Sequence, residues 1–421
     1  MEQALAAPAR QWRSLRTGLA LPLAVTGLAF LLGYWQKATC YAAAWPRGNR
    51  LAYAESCYSD IPVLFRERGL IAGIFPYAPE SWRHPLEYPV LTGIVMDATA
   101  RLTRAVGGGG ESGLTRTYFD VNVVVLLGFA LATVAVVWAL PRDARHRLVG
   151  ALLVASAPVL AFTGTINWDL VAVLAAVAAL LAWSRGRPLV AGILIGLGTA
   201  AKLFPLFILG PLLLLCLRGH TMPAFARTAT GAVAAWVAVN LPVALRYPDG
   251  WLLFFRFNSD RPAEVGSPWY GLDLVGWGVP ALNLVAPLCF AALCAGVAWV
   301  AWRAPEPPAV APLAFLVIAA FLMTNKVYSP QYVLWMLPFG ALAVGALRGK
   351  RPLVVWGAWQ AAEVLYWYMV WDHLEMGHRI NGVAGALYLL SIVLRLAATT
   401  WLCAIVTRNM WTNTQPAVLE R

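Results

Sequence analysis

The sequence predicts an all-α polytopic membrane protein with about twelve transmembrane helices, and three observations support this fold class. First, 60% of the 421 residues are hydrophobic and only 12% are charged, whereas soluble domains carry about 25% charged residues. Second, apolar stretches of about 17–25 residues, the length that crosses a bilayer, recur along the chain. Third, short basic or Pro/Gly-rich joints separate these stretches. We therefore expect residues 1–421 to form a single transmembrane domain.

The apolar stretches predict the position of each span. The first follows three arginines, and we interpret it as a retained helix because it is long and no clear small-residue cleavage site follows it. Two short spans meet at Lys202 and require tilt or local thinning of the bilayer. The predicted spans are 17–36, 117–140, 148–164, 168–184, 188–202, 203–218, 228–246, 280–302, 309–324, 330–347, 352–371 and 384–407.

The basic loop residues predict the orientation of the chain. If the spans alternate, most of these residues fall on one side together with the N-terminal arginines, and that side should be cytoplasmic. The opposite side then holds a large first extracytoplasmic loop, 37–116, and a second loop, 247–279. We place 88–106 at the membrane interface, because a span there would invert every later loop. A thirteen-span arrangement remains the alternative.

The net charge of +12 fits membrane orientation better than a nucleic-acid-binding face, because the basic residues lie in short clusters between apolar segments. We expect no nucleic-acid partner. Cys40 and Cys57 both lie in the first extracytoplasmic loop, where an oxidising compartment allows a disulfide. The other four cysteines fall in predicted spans and are expected to be free thiols. No metal-ligand spacing of Cys or His occurs, so we expect neither a metal nor a cofactor.

The first loop contains a candidate catalytic carboxylate, Asp60. Apolar residues follow it at helical spacing, which predicts an amphipathic interfacial helix with Asp60 as its N-cap. Such a carboxylate could act as a general base at the lipid–water boundary, and its alternative role is capping alone. A helix N-terminus would favour its ionised form. The same loop also contains His84, Glu87 and Tyr88.

Two further polar groups interrupt the apolar sequence on the external side. Asn167 and Asp169 lie at a turn, and Lys202 lies between two spans, where a lysine is costly unless it snorkels or has a partner. We interpret Lys202 as a phosphate contact, with snorkelling as the alternative. The other group contains the polar residues Lys326, Tyr328 and Gln331.

Two charges are predicted near the centres of sequential, antiparallel spans. Glu363 and Arg395 would each be costly alone in the membrane. We therefore predict that they form a structural ion pair.

The order of these motifs resembles a known family of enzymes. Glu87-Tyr88-Pro89 precedes Asn167-Trp168-Asp169, then Lys202-Leu203-Phe204-Pro205, and finally a segment from Lys326 to Tyr332. Over roughly residues 15–345 the chain resembles the GT-C glycosyltransferases, specifically family 87, which includes polyprenyl-phosphomannose-dependent α-1,2-mannosyltransferases of actinobacteria. It departs from the family pattern after Tyr88, where the segment is less apolar and only one proline follows.

The resemblance implies an inverting transfer of a hexose, mannose above all, on the extracytoplasmic side of the cell membrane. The donor would be a polyprenyl-phosphate sugar and the acceptor a glycolipid or lipoglycan. Arabinofuranose or glucose remains open as the donor sugar, and a lipid-linked sugar flippase or transporter, or a non-catalytic scaffold, remains open as the function. The expected roles are the catalytic base (Asp60), donor phosphate binding (Lys202 and Lys326) and acceptor or sugar binding (His84, Glu87, Tyr88, Asn167, Asp169, Tyr328 and Gln331).

Overall fold

A computed structural model describes residues 2–83, 85–141, 143–377 and 382–412. Every regular element within these ranges is helical, and they contain no β-strand. The predicted all-α fold class is confirmed.

The described residues form nineteen α-helices and three short 3₁₀ helices. The first ten α-helices are α1 (Glu2–Gln36), α2 (Ala38–Ala42), α3 (Arg50–Ala54), α4 (Asp60–Glu67), α5 (Val90–Val106), α6 (Gly110–Ala139), α7 (Ala144–Ala155), α8 (Pro158–Thr163), α9 (Asp169–Ser184) and α10 (Pro188–Ala201). The other nine are α11 (Leu209–Arg218), α12 (Met222–Arg246), α13 (Pro248–Asp260), α14 (Pro268–Leu274), α15 (Leu282–Arg303), α16 (Val310–Thr324), α17 (Val333–Gly345), α18 (Arg351–Glu375) and α19 (Gly382–Thr412). The 3₁₀ helices are Pro79–Arg83, Phe204–Ile208 and Pro330–Tyr332.

Each of the twelve predicted spans coincides with a helix or a pair of consecutive helices. Five described helices are long and apolar enough to cross a membrane by themselves: the part of α1 from Gly18 to Gln36, and α6, α12, α15 and α19. Other apolar helices are shorter, and some continue a neighbour, as α8 continues α7 and α11 continues the 3₁₀ helix before it. The chain is a multi-pass membrane protein.

Close packing of α10 against α12 positions the end of α10. A Cβ atom on Gly192 or Gly196 would collide with the backbone carbonyl oxygen of Thr228 or Ala232, so only glycine allows these backbones to approach so closely. α10 also packs along α9. Together these contacts hold Lys202, directly after the last residue of α10, beside the first turn of α9.

A disulfide and a backbone hydrogen bond anchor the first half of the first loop. Cys40 and Cys57 form the disulfide expected there. Ser59, rather than Asp60, caps α4, because its hydroxyl accepts a hydrogen bond from the Ile61 amide. The predicted N-cap is thus wrong by one residue, and Asp60 is the first residue of the helix. The Asp60 amide donates to the Ile166 carbonyl at 2.8 Å, which joins the loop to the turn before α9.

Glu363 on α18 and Arg395 on α19 form the ion pair predicted from their positions, at 2.6 Å. The Tyr328 hydroxyl donates to Glu363 at 3.0 Å, and the Tyr328 carbonyl accepts from Arg395 at 2.8 Å. The guanidinium lies 3.5 Å from the centroid of the Tyr328 ring and 3.8 Å from that of Tyr366. We call these four residues the Arg395 cluster. Its side chains are shielded from solvent, and they link the segment before α17 to the last two helices.

Candidate active site

A cavity of about 950 Å³ lies between the first loop, the second loop and the segments that follow α10 and α16. Six of the residues singled out from the sequence line it: Asp60, Glu87, Tyr88, Lys202, Lys326 and Gln331. They come from parts of the chain that are far apart in sequence, and the fold brings them together around one space.

Asp60 is held by two tyrosine hydroxyls. Tyr58 donates to Oδ1 at 2.7 Å, and Tyr88 donates to Oδ2 at 3.0 Å. The carboxylate is partly exposed to the cavity but lies deep in the protein. Each oxygen is thus oriented by one donor and retains a lone pair that can accept a further proton or hydrogen bond.

The surroundings of Asp60 raise the pKa of its carboxyl group above the usual value. Burial is the largest cause, and the charge of Asp169 adds to it, whereas the hydrogen bonds from Tyr58 and Tyr88 and the charge of Lys202 oppose it. Burial also keeps the pKa values of the Tyr58 and Tyr88 hydroxyls well above normal. Both hydroxyls therefore stay protonated and donate to Asp60. A raised pKa makes the carboxylate a stronger proton acceptor than an exposed aspartate.

Lys202 forms an ion pair with Asp169 at 2.9 Å. Trp335 donates its indole N–H to the other oxygen of Asp169 at 2.8 Å. The Lys202 ammonium lies 4.8 Å from the centroid of the Tyr88 ring and 5.4 Å from that of Tyr332. We call these five residues the Lys202 cluster. Asp169 itself is buried, so in this arrangement it orients the lysine, while the lysine side chain faces the cavity.

Lys326 also lines the cavity, but backbone oxygens surround its ammonium. It donates to the carbonyls of Asn258 and Ser259 at 3.1 Å and of Arg261 at 2.8 Å. The side-chain oxygen of Asn283 is a fourth acceptor. An ammonium has only three protons. The geometry therefore makes Lys326 a support for the second loop, which forms one wall of the cavity.

The other predicted sugar-binding residues take different positions. Glu87 forms a two-pronged ion pair with Arg68, at 2.6 and 3.1 Å. Asn167 is buried and accepts a hydrogen bond from the Asp169 amide, so it shapes the turn instead of lining the cavity. Tyr328 belongs to the Arg395 cluster, and because its ring is completely buried it is not placed to contact a sugar. His84 lies outside the described residues.

Sequence reasoning missed several residues that line the cavity. Arg261, in the second loop, pairs with Glu264 and lines the same cavity as Lys202, so it is a second cation in that cavity. Tyr58 precedes the predicted base by two residues, and that spacing was the available signal. Over the ranges that the structure describes, no group of three or more His, Cys, Asp and Glu side chains is arranged to hold a metal ion.

A second, apolar cavity of about 460 Å³ adjoins the first. Its walls come mainly from α10, α12, α13 and the segment after α10, with Asn240 and Thr199 among its few polar residues. The two cavities share five lining residues: Tyr88, Pro89, Leu203, Phe254 and Phe255. A molecule with a long apolar part and a polar head could therefore occupy both, with the junction beside Tyr88.

Comparison with known proteins identifies the family. The model of glycosyltransferase family 87 matches residues 112–324, slightly more than half of the chain. The chain belongs to this family. It is therefore a membrane-embedded glycosyltransferase, as its motif order predicts. The matched region of this family 87 enzyme includes Asp169 and Lys202 but begins after Asp60, so a catalytic role for Asp60 depends on the geometry above.

Two solved structures are similar to the chain over most of its length. ArnT from Cupriavidus metallidurans in the apo state is 16% identical, with a TM-score of 0.47 over 84% of this chain and 72% of ArnT. The apo oligosaccharyltransferase of Archaeoglobus fulgidus is 15% identical, with a TM-score of 0.44 over 94% of this chain and 56% of that protein. No curated protein sequence matches the chain.

Proposed function

We propose that this enzyme transfers a hexose, with mannose as the first candidate, from a polyprenyl-phosphate sugar to a glycolipid or lipoglycan. The reaction would take place on the extracytoplasmic side of the cell membrane, the side that the distribution of basic residues assigns to both large loops. One observation carries the proposal: Asp60, oriented by two tyrosine hydroxyls, lines the polar cavity beside Tyr88, where that cavity meets an apolar one.

The paired cavities suit a lipid-phosphate donor. The isoprenoid chain would fill the apolar cavity, whose walls are almost entirely hydrocarbon and aromatic. The phosphate would then lie at the junction near Tyr88, in the cavity that Lys202 and Arg261 both line and supply with positive charge. We assign the phosphate contact to these two residues, because the ammonium of Lys326 already donates its hydrogen bonds to backbone carbonyls. The sugar would project into the polar cavity toward Asp60.

The chemistry requires one base and stabilisation of one leaving group. A hydroxyl oxygen of the acceptor attacks the anomeric carbon, and its proton passes to Asp60. The new carbon–oxygen bond forms as the bond from the anomeric carbon to the phosphate oxygen breaks, and polyprenyl phosphate leaves with the bonding electrons. Lys202 and Arg261 stabilise the charge that develops on that phosphate. Displacement in a single step inverts the anomeric configuration.

An assay of the purified protein tests this proposal. The enzyme in lipid nanodiscs would receive radiolabelled polyprenyl-phosphate mannose, glucose or arabinofuranose together with a lipid extract of the cell envelope. We expect a labelled glycolipid from one donor, with mannose first, and with the anomeric configuration inverted. Asp249→Asn removes an exposed carboxylate of the second loop; as the control variant, it should form the same product as wild type. Movement of the intact donor across a vesicle membrane without a labelled product would instead favour a flippase.

A further inference from the structure

One side of the polar cavity is an aromatic wall, in which Tyr53 and Tyr58 are partly exposed and the nearly buried Trp371 lies against them. The rings of Tyr53 and Trp371 are nearly parallel, with planes 12° apart and centroids 6.0 Å apart. Tyr58 lies 5.6 Å from Tyr53 and 5.1 Å from Trp371, so the three rings form one continuous surface. Among the described residues that line the apolar cavity, none belongs to this wall.

Asp60 lies between the aromatic wall and the junction of the two cavities. Its Oδ1 atom accepts from Tyr58, which is part of the wall, at 2.7 Å. Its Oδ2 atom accepts from Tyr88, which lines both cavities, at 3.0 Å. The carboxylate thus has one oxygen oriented toward each side. A base in this position can receive a proton from a molecule on the wall while the donor sugar approaches from the junction.

We propose that Tyr53 and Tyr58, supported from behind by Trp371, bind a pyranose ring of the acceptor. A pyranose has a face of C–H groups that packs against aromatic rings, and its hydroxyls point outward from the edge of the ring. The polar side chains of Asn49 and Glu67 line the same cavity as the wall and can contact such hydroxyls. This proposal rests on the proposed function, and it assigns the acceptor to residues that the motif order left unassigned.

The wall is held in place by contacts outside the cavity. Tyr53 belongs to α3, which packs against α18, the helix that carries Trp371. The buried Lys37 donates to the carbonyl of Tyr58 at 2.8 Å and lies 5.5 Å from the centroid of the Trp367 ring on α18. These contacts fix the first loop against α18 before any ligand arrives, which lowers the entropic cost of binding.

Kinetics of Tyr53→Leu and Trp371→Leu test the proposal. The envelope lipid extract would be titrated against a fixed, saturating donor, and the donor against a saturating extract. For both variants we expect the half-saturating amount of extract to rise about two- to twelvefold, since aromatic contacts contribute about 0.5–1.5 kcal/mol. The KM for the donor should stay close to that of wild type, because neither residue lines the apolar cavity.

Tyr368→Leu is the matched control, because Tyr368 is on the same helix as Trp371 but is exposed on its outer side. Tyr53→Phe, which keeps the ring, should restore wild-type affinity for the extract. If Trp371→Leu lowers the melting temperature, the result for Tyr53→Leu is the one that tests the proposal. Tyr53 is only partly buried, so its replacement should disturb the fold less. An unchanged half-saturating amount of extract, or a raised donor KM, would overturn the proposal. Failure of the wild type to form any glycolipid would instead reject the proposed function.

Discussion

The Arg395 cluster and the Lys202 cluster contain similar groups in different surroundings. Each pairs a cation with a carboxylate, at 2.6 Å and 2.9 Å, and each places the cation beside tyrosine rings. The side chains of Arg395 and Glu363 are 0% and 1% exposed, whereas that of Lys202 is 14% exposed and faces a cavity. The buried Arg395–Glu363 pair therefore joins helices, whereas the Lys202–Asp169 pair positions a cation at a cavity.

The difference predicts that stability and activity should separate between the two regions. Breaking a buried ion pair leaves one charge without a partner, and the folded state loses free energy. Breaking the Lys202–Asp169 pair removes the partner that lines the cavity and leaves a charge that water in the cavity can approach, so the larger loss should be catalytic.

The largest effect is expected at Asp60, which is next to the Lys202 cluster and accepts a hydrogen bond from its Tyr88. Asp60→Asn preserves shape and removes basicity, and loss of a general base reduces turnover about 10²- to 10⁴-fold. Thermal stability and donor binding should stay close to wild type, because both tyrosine hydroxyls still find an oxygen or nitrogen partner. Initial rates and melting curves of Asp60→Asn and the Asp249→Asn control would show this. Turnover above a few per cent would show that another group is the base.

The next largest effect is expected in the sealed cluster. Arg395→Met leaves the Glu363 charge buried without its partner, which should lower the free energy of unfolding by about 3–5 kcal/mol. Replacing both residues by methionine should recover most of that loss, because no isolated charge remains. Denaturation in detergent measures the stability, and turnover per folded molecule should change little. A single variant as stable as wild type would show that the pair is not structural.

Sequence reasoning was most successful where a single physical constraint decides the outcome. Apolar runs of bilayer length predicted the helices, because no other environment accommodates them. The Glu363–Arg395 pair followed from the cost of a lone charge in a membrane and from the antiparallel arrangement of consecutive spans. Neither prediction required knowledge of side-chain directions or of distant packing.

The remaining features depend on directions and partners that leave no pattern in the sequence. Ser59 and Asp60 are both good N-cap residues, and only the backbone at Ser59 decides between them. Lys326 is surrounded mainly by carbonyl oxygens of the second loop, which every residue possesses and no motif reveals. The aromatic wall joins Tyr53 to Trp371 across most of the chain. Such long-range pairing emerges only from the fold.

A smaller effect is expected from Lys202→Met. Loss of a charge-assisted contact of about 1.5–3 kcal/mol should raise the KM for the donor about ten- to hundredfold. Stability should fall less than in Arg395→Met, since Asp169 keeps the hydrogen bond from Trp335 and the cavity that Lys202 lines can admit water beside its carboxylate. Lys350→Met, an exposed lysine just before α18, is the control. Donor KM measured beside unfolding curves would separate the two effects, and an unchanged donor KM would remove Lys202 from the phosphate site.

The smallest expected effect is a shift in the pH profile. Burial raises the pKa of the Asp60 carboxyl group, so the base is lost to protonation as pH falls through that raised value. The acidic limb of kcat/KM should therefore lie above the usual pKa of an aspartate. Burial lowers the pKa of Lys37 to about 7, and since every variant keeps this lysine, its titration cancels from the comparison.

The same profile distinguishes the two clusters. The charge of Lys202 lowers the pKa of Asp60, so Lys202→Met should move the acidic limb to higher pH, and the charge left on Asp169 acts in the same direction. The paired replacement of Glu363 and Arg395 by methionine should leave the limb unchanged, because those charges are not among the main influences on Asp60. Rate profiles of the three proteins in one buffer series provide the measurement. If the acidic limb moved equally in Lys202→Met and in the double methionine variant, the shift would follow from a general loosening of the fold. The electrostatic effect of Lys202 on Asp60 would then be rejected.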